Sequence, residues 1–224
     1  HEHGEHCCCH DHDHEHDEHD HDHEHEHDEH EHDHEHGEHC DCGHDHEHDP
    51  HYWMDPRNAV QAARFIAEHL SGTDPENAEL YAENAAAVSD ALNTAYDSWH
   101  GQLDGLSCPY LITFHDGFQY FADAFGLELL FAMEEEDGAT ASARDILTAS
   151  QLVREYDLPV VFTERNGSGA AAKAVSGETG VRVDTLSMLM DGPDAPEGGA
   201  VAVLRATYLA LMDENITTLA EVLK

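Results

Sequence analysis

Histidine alternates with aspartate and glutamate through the first 50 residues of this 224-residue chain, a stretch that holds 20 of its 24 histidines and no Lys or Arg. Neutral imidazole is the commonest side-chain ligand for zinc, nickel and copper, and interleaved carboxylates offset the metal charge and add oxygen donors. Five of the six cysteines (Cys7, Cys8, Cys9, Cys40 and Cys42) lie in the same stretch and read as soft metal ligands. Histidines two apart, as in His10, His12 and His14, His21, His23 and His25, His32 and His34, and His44, His46 and His48, suit several weak, exchangeable sites rather than one fixed site. A purification tag would be uniform histidine, whereas this run alternates with acid and carries cysteine. Near matches to H-x-H-x-D-H inside it are what any periodic repeat yields by chance.

Single residues beyond the run could also do chemistry. His51, in "HDPHYWMDP", sits between Pro50 and an aromatic pair where the repeat stops. His115 directly follows the apolar "LITF" and precedes a helical pattern, so it projects from the end of a buried strand. Glu134 to Glu136, Glu164 and Ser187 follow three further apolar runs in the same way. Ligands of open parallel sheets bind just outside the carboxyl ends of the strands, which makes these residues the candidates. Plainer roles stand beside each: a hydrogen-bonded structural histidine at 115, a helix cap at Asp116, a solvated loop for Glu134 to Asp137. Gly167 and Gly169 open a helix, but no G-x-x-x-x-G-K-[ST] accompanies them and no nucleotide site is expected. Cys108 has nothing nearby to make it a nucleophile.

These residues need elements to position them. Residues 1 to 49 contain nothing apolar except cysteine, cannot repay the entropy of ordering, and are expected to be disordered without metal. Asp55 followed by Pro56 starts a helix that continues to Leu70. Asp74 and Pro75 repeat the device before a longer helix, in which Leu80, Val88, Leu92, Tyr96, Trp99 and Leu103 recur at helical spacing. From Gly105 onward, "PYLITF", "LELLFAM", "PVVFTE" and "VRVDTLSM" read as strands alternating with helices, and "AVAVLRATYLALMDENITTLAEVLK" as a closing helix. That alternation predicts an α/β lobe with a parallel four-stranded sheet flanked by helices, preceded by a long linking helix and a disordered segment.

The net charge of −40 divides at Pro50: −21 from the run, and −19 from 28 acids against 9 bases in the remaining 174 residues. With no basic stripe, nucleic-acid binding is not expected; the acidity fits cation handling. No apolar run approaches the roughly 20 residues that span a bilayer. A chain opening "HEHGEH", without an initiator Met or a leader pattern, reads as a fragment or processed product.

"DPHYWMDPRNA", "DPENAELYAENA", "FHDGFQYFADAFGL", "SARDI" and "FTERNGSGAAAKAVSGETG" occur in this order, and together they resemble the zinc-type solute-binding proteins of bacterial ABC metal importers, from Asp49 to Lys224. A His- and acid-rich loop before "DPH" is itself a trait of that family. The resemblance implies two lobes joined by a long rigid helix, with the metal in the cleft between them. Residues 51–104 would be the end of the amino-terminal lobe and the linking helix, and 105–224 the carboxy-terminal lobe. His51 and His115 would be ligands of the tight site. Manganese-type relatives tend to carry Glu at the second position, so His115 favours zinc. Where many members have Asp after the last strand, this chain has Ser187, which leaves water, a carboxylate from the rest of the protein, Asp191 or Glu164 for the remaining coordination. The implied role is extracytoplasmic capture of Zn2+ by a monomer and its delivery to a membrane ABC permease, with no nucleotide bound directly and no catalysis. The alternatives are metal storage or a metallochaperone acting through the run, and a zinc hydrolase with Glu164 as general base.

Overall fold

A computed structural model describes residues 49–133, 142–191 and 197–224. The histidine-rich run up to His48, with its expected disorder and auxiliary sites, and the acidic turn Glu134 to Asp137 lie outside the described residues.

Helix α1 spans Pro56–Thr73, with Asp55 as N-cap and Pro at the first turn. The Asp55 carboxylate accepts from Arg57 N at 2.8 Å and from the Arg57 guanidinium at 2.8 to 3.1 Å. One buried acid therefore satisfies an orphan backbone donor and fixes the start of the helix. At the second expected cap the structure differs. A single 3-10 turn, Pro75–Asn77, precedes helix α2 (Ala78–Leu103), and the Asp74 side chain accepts from Asn77 Nδ2 and Tyr81 OH instead of from helix backbone. Those two hydrogen bonds hold its carboxyl below the usual carboxylate range.

Four strands follow: β1 (Tyr110–Thr113), β2 (Glu128–Ala132), β3 (Val160–Glu164) and β4 (Arg182–Leu186). Between them run α3 (Gln119–Phe125), α4 (Ala143–Glu155) and α5 (Ala170–Thr179). All pairings are parallel and the order is β2-β1-β3-β4. Each face is covered, because successive side chains point to opposite sides. Leu111, Val160, Phe162 and Leu186 meet Trp99, Phe118, Phe121, Met212 and Ile216 from α2, α3 and the carboxy-terminal helix. Ile112 and Val161 meet Ala149, Val153, Ala172 and Val175 from α4 and α5. The expected parallel four-stranded sheet flanked by helices is the observed one.

The closing helix carries an unanticipated break. It runs as α6 (Ala200–Leu204), one π turn (Arg205–Leu209) and α7 (Ala210–Val222). Such wider turns re-aim side chains, and this one contains Tyr208, whose hydroxyl donates to Trp53 O at 2.7 Å. Burial, with the Asp55 charge adding to it, pushes the Tyr208 hydroxyl far above its ordinary pKa, so it remains a donor.

Sequence periodicity put Leu80 in the apolar stripe of α2, but it is 52% exposed, whereas Leu92, Trp99 and Leu103 are buried. The first half of α2 packs on α1 rather than on the sheet. That hairpin also leaves Phe65 at 70% and Ile66 at 55% exposed.

Replacing Asp55 removes the α1 cap and the Arg57 ion pair together. Asp55→Ala is expected to lower the unfolding free energy by about 1–2 kcal/mol, seen as a lower denaturant midpoint at unchanged slope. Asp55→Asn, which keeps an acceptor for Arg57 N, is expected to lose less.

Candidate metal centre

In the order β2-β1-β3-β4 the chain leaves β1 for one edge and returns to its other side for β3, so the strand order reverses between β1 and β3. A crevice opens at such a point beyond the carboxyl ends. His115, two residues past β1, and Glu164, the last residue of β3, stand there with His115 Nδ1 and Glu164 Oε2 3.3 Å apart.

His51 arrives from outside the sheet. It precedes a 3-10 turn, Tyr52–Met54, and no regular element holds it. The Trp53 indole N–H donates to Met188 O at 3.0 Å, just past β4, while Trp53 O accepts from Tyr208. The strap so tied carries the His51 ring to 5.1 Å from the His115 ring, centroid to centroid, at 82° between planes. The two Nε2 atoms face each other at 3.4 Å. Two nitrogens on one tetrahedral zinc, each about 2.0–2.1 Å from it, lie about 3.3 Å apart. The pair already has the spacing of two ligands of one metal ion, although 64 residues separate them in sequence.

Carboxylates stand behind both rings. Asp49 Oδ1 accepts from His51 N at 2.9 Å and lies 2.7 Å from His51 Nδ1. Glu164 occupies the equivalent place behind His115, on the side of the ring away from His51. The site is acidic, only partly exposed, and has its Nε2 atoms turned inward.

Gly117 closes the back of the pair. A Cβ on this residue would lie 2.5 Å from Met188 Cε, 2.9 Å from His115 Cδ2 and 3.0 Å from His51 Cε1, so the methionine end and the two rings would have to shift to admit it. The residue is glycine because two imidazoles and a methionine converge on its backbone. Asp116, a candidate helix cap, does not cap: α3 begins after Phe118 with no side-chain cap bond.

The remaining candidates lie in a different network. Ser187 is fully buried, its hydroxyl donating to Asp191 Oδ1 at 2.5 Å and accepting from Leu189 N at 3.0 Å, while Asn215 holds its backbone N–H and carbonyl. The other Asp191 oxygen is 3.0 Å from Arg165 Nη1, and Arg165 also binds Glu214. The bond to Glu214, with the Asp191 charge, holds the guanidinium above its ordinary pKa. Both Ser187 and Asp191 are thus engaged with protein partners, and Glu164 with His115. Among the described residues no three His, Cys, Asp or Glu side chains form a metal-sized group, so the structure presents two nitrogen donors. At Gly169, φ is +60°, which the turn from β3 into α5 requires; this accounts for a glycine of "NGSG" without a phosphate.

Sequence reasoning singled out His51 and His115 as candidates and set Trp53 beside His51, but gave no role to Asp49 or Gly117. The acid two places before His51 was the available signal for Asp49, but it was hidden among 20 preceding acids in the run.

Known proteins show the same arrangement of elements. A Zn(II)-bound variant of AdcAII from Streptococcus pneumoniae superposes with a TM-score of 0.63 at 30% identity, covering 79% of this chain and 63% of that one. Zinc-binding protein AdcA of Streptococcus pyogenes is 31% identical over 184 residues, 81% of this chain and 34% of that protein. High-affinity zinc uptake system protein ZnuA of Paracoccus denitrificans is 36% identical over 167 residues, 74% of this chain and 51% of that protein. The chain therefore spans about a third to a half of the length of these two relatives. The family model described as zinc-uptake complex component A, periplasmic, matches residues 5–222, taking in the described sheet and both facing histidines. By that match this chain belongs to the ZnuA family, whose members are components of an uptake complex rather than enzymes.

Proposed function

We propose that the protein captures Zn2+ outside the cytoplasm and delivers it to a membrane ABC permease, with His51 and His115 as two ligands of the tight site and zinc as cargo. The observation that carries this reading is the pair of Nε2 atoms, 3.4 Å apart at the point where the strand order reverses. Family membership supports the choice of zinc and the location.

Residues 51–104 then complete an amino-terminal lobe and link it to the carboxy-terminal lobe of residues 105–224. The exposed Phe65, Ile66, Leu70 and Leu80 support this division, since an apolar surface of that kind on α1 and α2 calls for a cover. Remaining ligands come from that other lobe or from water. A metal held from both sides pins the lobes in one relative position, and a permease can distinguish that position from the empty one. The run of residues 1–50 serves as a collector: many weak sites raise the local zinc concentration next to one strong site.

The zinc-hydrolase alternative needs a carboxylate free to act as general base. Glu164 instead backs His115.

In the complete protein, His51→Ala and His115→Ala are each expected to weaken zinc binding at least 100-fold in a competition titration against a chelator strong enough to empty the run. Deletion of residues 1–48 is expected to leave that affinity within a few-fold. The opposite pattern, with affinity lost on deletion and kept in His51→Ala, would establish storage by the run instead.

Gly117→Ala forces a methyl group against both rings and is expected to weaken zinc binding by roughly tenfold or more while the protein stays folded. Zinc titration alongside thermal unfolding separates the two effects.

A further inference from the structure

The run ends in "HEHDPH", and its last acid, Asp49, packs against His51. His51 lies in irregular backbone, so no helix or strand dictates where its ring points. Two contacts do: the edge of Trp53, at 5.4 Å between centroids, and Asp49. Asp49 Oδ1 accepts from His51 N at 2.9 Å and lies 2.7 Å from His51 Nδ1, so that one oxygen meets backbone and side chain at once. Its other oxygen, Oδ2, is buried without a hydrogen-bond partner. A carboxylate withdrawn from water on one oxygen interacts more strongly through the other.

We propose that Asp49 is the positioning residue for His51: it accepts a hydrogen bond from Nδ1–H and so fixes the tautomer that turns a bare Nε2 lone pair toward His115. The proposal rests on the reading of His51 as a zinc ligand. Imidazole carries one proton when neutral, so a partner that claims the Nδ1–H leaves Nε2 unprotonated. With Glu164 behind His115 on the same pattern, both inward nitrogens can be lone pairs at 3.4 Å, an arrangement that repels itself until a cation enters. The pair is thereby set for metal before metal arrives. Asp49 also ties the end of the collector to the fixed site, because the residue that completes the repeat orients the first fixed ligand.

The test uses the complete protein with zinc affinity read against a strong chelator. Asp49→Ala is expected to weaken zinc binding 10- to 100-fold, the usual consequence of removing a carboxylate behind a ligating histidine. Asp49→Asn, which keeps an oxygen to accept the Nδ1–H, is expected to recover most of that loss; a role in overall stability would not discriminate in this way. In the metal-free protein, 15N ring shifts of His51, identified by their disappearance in His51→Ala, are expected to report the Nδ1–H tautomer in the parent and in Asp49→Asn, and a mixture in Asp49→Ala. The proposal is overturned if Asp49→Ala binds zinc within twofold of the parent while His51→Ala does not, or if the parent ring is the Nε2–H tautomer. The parent spectrum decides the tautomer even where Asp49→Ala fails to fold. If His51→Ala binds zinc as the parent does, the ligand reading itself fails, and Asp49 falls with it.

Discussion

The hydrogen bond from the Trp53 indole to Met188 O is the constraint on which the site depends. The sheet alone can present His115, because β1 ends there, but nothing in the sheet can present His51. The tie lets a strap whose only regular bonds are those of one 3-10 turn hold an imidazole beside the end of β1. Tyr208 braces the same strap from the π turn, and Met188 also reaches the backbone of Gly117 under both rings. One short segment after β4 therefore anchors the incoming strap and forms part of the floor of the proposed site.

The electrostatics follow from that geometry. Two imidazoles with inward Nε2 atoms and carboxylates behind them concentrate negative potential on a point between the rings. In the proposed tautomers a divalent cation would relieve the opposed lone pairs and be stabilised by the acids, without either acid having to bind it. Two ligands are too few to hold zinc tightly, since its structural sites close with four. That shortfall is compatible with the proposed carrier role, in which the remaining ligands come from elsewhere in the protein or from water. Ser187 and Asp191 are committed to the Arg165 network, which fastens the end of β4 and so fixes the position of Met188.

Much of the fold was legible because its signals are local. The Asp-Pro start of α1, the period of α2, the four apolar runs and Gly126 closing α3 each reflect backbone physics within a few residues. The misreadings fell where distant elements decide. Leu80 matched the helical period but faces outward, because period reports a side of the helix and not what lies against it. Asp74 looked like a second copy of Asp55, yet its carboxylate turned to Tyr81 one turn into α2. The π turn had no sequence mark, since its effect is to aim Tyr208 at a residue 155 positions away.

The sequence by itself pointed to the chemistry and to two candidate residues: a surplus of histidine and acid, a histidine at a strand end, and another where the repeat stops. Tertiary structure alone decided that His51 and His115 meet nitrogen to nitrogen, that Glu164 stands behind a ring, that Ser187 and Asp191 belong to another network, and that Gly117 must lack a side chain. The reason is physical. Residue type and local spacing set which groups can donate electrons and which backbone conformations form, whereas a distance of 3.4 Å across 64 residues of chain is set by strand order, one indole hydrogen bond and the packing beneath it.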